Sequence, residues 1–96
     1  MKAFFMVERL GEPFMVQSQK MKDGVLYKRI VQLVEAGVKR GDSVVATILG
    51  EDAQHLNFKE GDFIHASIHL ATHEYNGQIY MDAIMDNYLT IVRYRN

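Results

Sequence analysis

His65, His69 and His73 recur at every fourth position, and imidazole is the commonest protein ligand for a metal ion. On a helix that spacing lines one face, and a His-x-x-x-His pair can chelate. On a strand, four residues span about 13 Å at about 3.3 Å each. No two of the histidines could then share an ion held about 2 Å from each ligand. The neighbouring residues favour the strand. Ile64, Ala66, Ile68 and Leu70 alternate with Phe63, His65, Ser67 and His69, the period of a half-buried strand. The histidines therefore line a solvated strand face. Neither a metal nor another cofactor is expected.

Catalytic sets are equally missing from the pattern. Asp82 and Asp86 would stand about 13 Å apart along a strand, too far to share a proton or an ion. Ser18, Ser43 and Ser67 lack the context of a nucleophile elbow. No glycine-rich loop follows a strand and opens a helix, and Gly50 precedes Glu51 and Asp52, which would repel a phosphate. The chain is not expected to be an enzyme.

The remaining chemistry belongs to cations and flat rings. A net charge of −1 excludes a uniformly basic polyanion binder. The charges are unevenly spread, however: residues 1–40 carry eight Lys and Arg against four acids, and residues 41–96 carry three against eight. Lys20, Lys22, Lys28, Arg29, Lys39 and Arg40 lie in the positive part, with Tyr27 among them. A near-neutral chain can present one basic face in this way.

These side chains must be held by elements that the 96 residues can build, which at this length means one domain, 1–96. Lys2 to Leu10 reads as a first strand. It meets Glu8 and Arg9 after too short an apolar run to be a leader segment. Gly11-Glu12-Pro13 breaks it, and Gln17 to Gly24 reads as a loop. Val25 to Glu35 is a long strand rich in β-branched and aromatic residues. Its alternation is imperfect: Ile30 and Val34 share a face with Lys28 and Gln32, while Val31 and Leu33 share the other with Tyr27 and Arg29. A bulge or strong coiling would reconcile them, and the pattern leaves the register open. Ala36 to Asp42 is a turn and Ser43 to Leu49 a third strand. Asp52, as cap, begins a short helix to Phe58. After Glu60-Gly61-Asp62 come two more strands joined at Asn76-Gly77, a pair that tolerates the positive φ of a type I′ hairpin. The order β-β-β-α-β-β predicts an all-β domain with one short helix, the five-stranded Greek-key barrel of the OB-fold. A sandwich with the same strand count is the main rival.

Gly24-x-x-Tyr27-Lys28-Arg29, Gly50-Glu51-Asp52, Glu60-Gly61-Asp62, His73-Glu74-Tyr75-Asn76-Gly77 and Tyr80-x-Asp82 resemble a small bacterial OB-fold family. Its members are similar to single-stranded-DNA-binding proteins and are mostly of unknown function. The resemblance covers roughly residues 20–86, and the Glu-Tyr-Asn-Gly hairpin is its most specific part. The chain departs from the family at Leu49, where a tryptophan is usual, and at Ile30-Val31-Gln32, where a polar–polar–aromatic run is usual. The first departure removes a candidate aromatic platform.

OB-folds that hold single strands use a groove over the second and third strands, bounded by the first and last loops. On this chain that groove would draw on Lys20, Lys22, Tyr27, Lys28, Arg29, Lys39, Arg40 and Tyr75. The expected function is weak, sequence-tolerant binding of single-stranded nucleic acid, DNA foremost. The alternative is a protein-interaction module without nucleic acid. Six methionines, ten Phe and Tyr residues and a last strand that stays apolar past position 88 exceed what one small barrel can bury. A homo-oligomer, a dimer foremost, is therefore expected. No apolar run reaches membrane length, and the lack of cysteine fits a reducing cytoplasm.

Overall fold

Short β-branched runs separated by glycine turns give this chain almost no helix and one continuous sheet. The computed structural model describes residues 1–37 and 43–92, the side chain of Val92 excepted. Six strands and one helical turn follow in order: β1 (Lys2–Leu10), β2 (Phe14–Gln17), β3 (Val25–Glu35), β4 (Ser43–Leu49), α1 (Glu51–Gln54), β5 (Phe63–Tyr75) and β6 (Gln78–Val92). The sheet runs β1-β5-β6-β4-β3-β2, and an additional β1–β3 pairing closes it on itself. All pairings are antiparallel except β4–β6, which meet in parallel at Thr47 and Ile84. Closure hides edges that would otherwise invite pairing with other chains.

The alternation at positions 64, 66 and 68 appears as expected. Ile64, Ala66 and Ile68 are buried with Phe5 and Val7 of β1, Val31 and Leu33 of β3, Ala46 and Ile48 of β4, and Met85 of β6. Leu70 departs from the pattern and is 62% exposed, because β5 has by then run beyond β1, whose pairing with it covers only residues 63–67. On β3 the buried residues are Val31 and Leu33, so Ile30 and Gln32 face outward.

The described strands carry three register shifts, one on β1–β3 and two on β5–β6, and two of them decide the facing of residues near the site. Between Val7 and Arg9 the β1–β3 register slips, so Val7 opposes Leu33 while Arg9 opposes Gln32. Arg9 has the sequence parity of buried Val7, yet the extra residue Glu8 brings it to the outer face. On β6, Asp86 is the extra residue: Met85 opposes Ile68 and Tyr88 opposes Ala66, both towards the core. The Tyr88 ring there meets Phe58 edge-on, with centroids 4.9 Å apart.

Three local expectations are corrected. The stretch after Pro13 pairs with β3 as a fourth short strand in that half of the chain, giving six strands rather than five. The helix is a single turn, not a run to Phe58, because the N–H of His55 already closes onto the carbonyl of Glu51 with φ −127°. Its cap is Gly50, with no side-chain cap hydrogen bond, so Asp52 sits in the first turn instead. Gly50 adopts φ 76°, ψ −146°, a region open essentially to glycine alone, and its N–H donates to the carbonyl of Tyr27 at 2.8 Å. The turn from Lys59 to Asp62 is fixed by buried Asp62. Its carboxylate accepts the N–H of Lys59 at 3.0 Å, and its carbonyl accepts that of Val7 at 2.8 Å. At Asn76-Gly77 both residues take positive φ, 52° and 77°, as the hairpin reading requires.

Candidate nucleic-acid interface

The strand directions set the ends of the outward face over β3 and β4. β6 runs parallel to β4, so the β5–β6 hairpin leaves the closed sheet at the end where β3 turns towards β4. The loop between β2 and β3 lies at the opposite end, beside Leu49. Between them the face is laid out by register. Phe14, Lys28 and Leu49 form one row, Ile30, Thr47, Ile84 and His69 the next, and Arg9, Gln32 and Val45 a third. Phe14, Ile30 and Val45 are exposed. Among the described residues no group of three His, Cys, Asp or Glu side chains could hold a metal ion.

The site residues read from the sequence are distributed unequally over this face. Lys20 and Lys22 are exposed in the loop of residues 18–24, which the N–H of Ser18 closes onto the carbonyl of Gly24 at 2.9 Å. Gln17, Ser18, Gln19 and Gly24 line an open hollow of about 570 Å³ beside them. Lys28 is half-buried in the Phe14 row. Arg29 is engaged elsewhere: its Nε donates to the carbonyl of Gly11 at 2.6 Å and fastens the bend after β1 to β3. Tyr27 packs half-buried against the core, so it is held as packing and not as a free ring. Lys39 and Arg40 lie outside the described residues. Tyr75, 65% exposed, flanks the hairpin turn opposite Gln78.

The sequence reading missed four contributors: Arg9, Tyr80, Asp82 and Asp86. Arg9 joins the face only through the Glu8 bulge. Tyr80 pairs with His73 across the hairpin, their rings stacked at 5.4 Å and 20°, and the Tyr80 hydroxyl donates to Oε1 of Gln78 at 2.8 Å. Asp86 and Asp82 approach Nδ1 of His69 and His73 at 2.6 and 3.3 Å. The hairpin is thus a ribbon with rings and neighbouring His–Asp pairs on one side. Strand alternation alone signals that His73 and Tyr80 share a face once Asn76-Gly77 is taken as the turn. The bulges carry no comparable signal.

Tyr27 gives a direct test of this placement. Tyr27→Ala should cost about 2–3 kcal/mol of stability, somewhat below the 3–5 of a fully buried ring. Tyr75→Ala, at an exposed tip, should stay within about 0.5 kcal/mol of the parent. Chemical denaturation of the two variants measures the difference.

No family model, curated protein or solved structure matches the chain.

Proposed function

We propose that the chain is a non-enzymatic OB-fold module that binds single-stranded nucleic acid, DNA foremost, with little sequence preference. The observation that carries this reading is the closed order β1-β3-β4-β6-β5, with α1 between β4 and β5. With β2 set aside as an added edge, that order matches the five-stranded Greek-key barrel, whose second and third strands carry the groove. On this chain those strands are β3 and β4. Lysines stand at one end of their outward face, exposed rings at the other, and Arg9 and Lys28 between. Cations track a phosphate backbone and rings stack bases whatever their identity, so such a surface discriminates little between sequences.

Fluorescence anisotropy with labelled oligo-dT tests the proposal. Binding in the micromolar range or weaker is expected. It should weaken steeply with salt, by about 0.7 log units per phosphate contact for each tenfold rise. Salt-independent binding, or none at low salt, would shift the assignment to a protein-interaction module.

One observation favours a protein contact as well. On the other side of the ribbon, Leu70, Met81 and Ile79 continue the buried line of Ile68 and Met85, yet they are 62%, 63% and 77% exposed. A two-stranded ribbon with both edges open is marginal in water by itself. We read its cover as a second copy of the chain, with the ribbons related by a two-fold axis. Sedimentation equilibrium should then give a dimer that Met81→Asp returns to monomer without loss of fold. A monomer mass for the parent protein would overturn this reading.

A further inference from the structure

The outward face of β1, β5 and β6 lies on the other side of β1 from the β3–β4 face, and it has a different composition. Register places Lys2, Ser67 and Asn87 in one row across the three strands, and Phe4, His65 and Leu89 in the next. The rows are two residues apart, about 7 Å. A cleft of about 210 Å³ opens there, lined by Lys2, His65, Ser67, Asn87, Tyr88 and Leu89, none of them acidic. Lys2, Ser67 and Asn87 give its polar row an ammonium, a hydroxyl and an amide. No hydrogen bond or ion pair with another described residue occupies those three side chains.

The adjoining row is built differently. Phe4, 54% exposed, lies outside the lining of the cleft but against His65, and Leu89, 64% exposed, lines it, so β1 and β6 each present an apolar side chain beside half-buried His65. The Phe4 and His65 rings meet at 62° with centroids 4.8 Å apart, forming a corner and not a closed stack. A flat molecule can lie over His65 between those apolar side chains. An anion attached to it would reach the ammonium, hydroxyl and amide one row away. A purely apolar partner would leave that polar row desolvated without acceptors, which is costly.

We propose that this cleft is a second binding site, for a single nucleotide unit: phosphate on Lys2, Ser67 and Asn87, base over His65 between Phe4 and Leu89. The unit could be a free mononucleotide or one residue of a single strand, because both present the same phosphate and ring. The assignment stands on the cleft itself and does not depend on the β3–β4 groove.

Amide NMR titrations of the whole chain with thymidine 5′-monophosphate, thymidine, inorganic phosphate and oligo-dT decide it. The monophosphate should move amides at residues 2–5, 63–68 and 87–90, and bind more tightly than thymidine or phosphate alone. Phe4→Ala and Lys2→Gln should each weaken it about 5–100-fold, the range given by one base stack or its equivalent. Lys59→Gln, an exposed cation outside the lining of the cleft, should leave that affinity unchanged. Engagement of the same amides by oligo-dT but not by the monophosphate would assign the site to a strand, with the chemistry intact.

Shifts that cluster elsewhere, indifference to both variants, or movement of these amides on dilution of the protein alone would each overturn the proposal. The last of these would assign the face to a second copy. The groove reading fails separately, through oligo-dT shifts that spare residues 20–30. Both substituted side chains are exposed, and retained peak dispersion verifies the fold of each variant.

Discussion

Phe5→Ala is expected to lower the free energy of unfolding by about 3–5 kcal/mol, while Phe4→Ala, one residue away, should change it by about 0.5 kcal/mol or less. The contrast follows from the single-residue alternation of β1. Phe5 is 1% exposed and stands where β1 joins its two neighbours, opposite Ile64 on β5 and Glu35 on β3. Truncation leaves a cavity at the seam that closes the sheet, and the surrounding strands are held in register by their ladders and cannot collapse into it. Phe4 points the other way and gives up little buried area. A domain of this size has about 5–15 kcal/mol in total, so Phe5→Ala removes a large share of it. Urea denaturation of both variants with unchanged m-values is the measurement. A cost under about 1 kcal/mol for Phe5→Ala would mean that the β1 seam does not hold the fold together.

What the sequence made legible, and what it did not, divides along the same physics. Period-two alternation at Ile64, Ala66 and Ile68 specifies a face because one side of that strand is buried, and Asn76-Gly77 specifies a turn because few residues accept positive φ. Neither signal depends on distant parts of the chain. The bulges at Glu8 and Asp86 do: an extra residue in a strand is defined only against its partner, and no residue type announces it. For that reason Arg9 reads as inward from its spacing to Val7, yet it opposes Gln32 on the outer face.

Tyr27 illustrates the same limit for a candidate site residue. Its composition suits a stacking ring and a packing ring equally, and only its parity with Val31 and Leu33, once β3 is paired, turns it towards the core. Arg29 looks like a free cation until the bend at Gly11 brings a carbonyl within 2.6 Å of its Nε. The short strand β2 follows a proline and has only four residues, too few for alternation to register. Leu70, Ile79 and Met81 continue a core pattern that the closed sheet is too short to cover. Periodicity reports which side of a strand is apolar, but not how far its neighbours extend.

The largest expected effect on binding comes from replacing Lys20, Lys22 and Lys28 together with glutamine. Each cation that neutralises a backbone phosphate contributes about 0.7 to the log–log salt slope on a single strand. Losing three should flatten the slope by about 2 and weaken oligo-dT binding about 100-fold or more at low salt. Lys20 and Lys22 are exposed in a loop closed by backbone hydrogen bonds, and Lys28 is half-buried with an exposed phenylalanine opposite it on β2. The stem of Lys28 covers some apolar surface, and glutamine keeps part of that cover. The melting temperature should therefore change by only a few degrees, which separates lost binding from lost fold. Arg9→Gln should add a further step of about 0.7 in slope, because the Glu8 bulge turns Arg9 onto the same face. If the triple variant keeps both its affinity and its slope, the strand does not follow β3 and β4. The β1–β5–β6 cleft, with Lys2 as its cation, would then be the remaining described route for it.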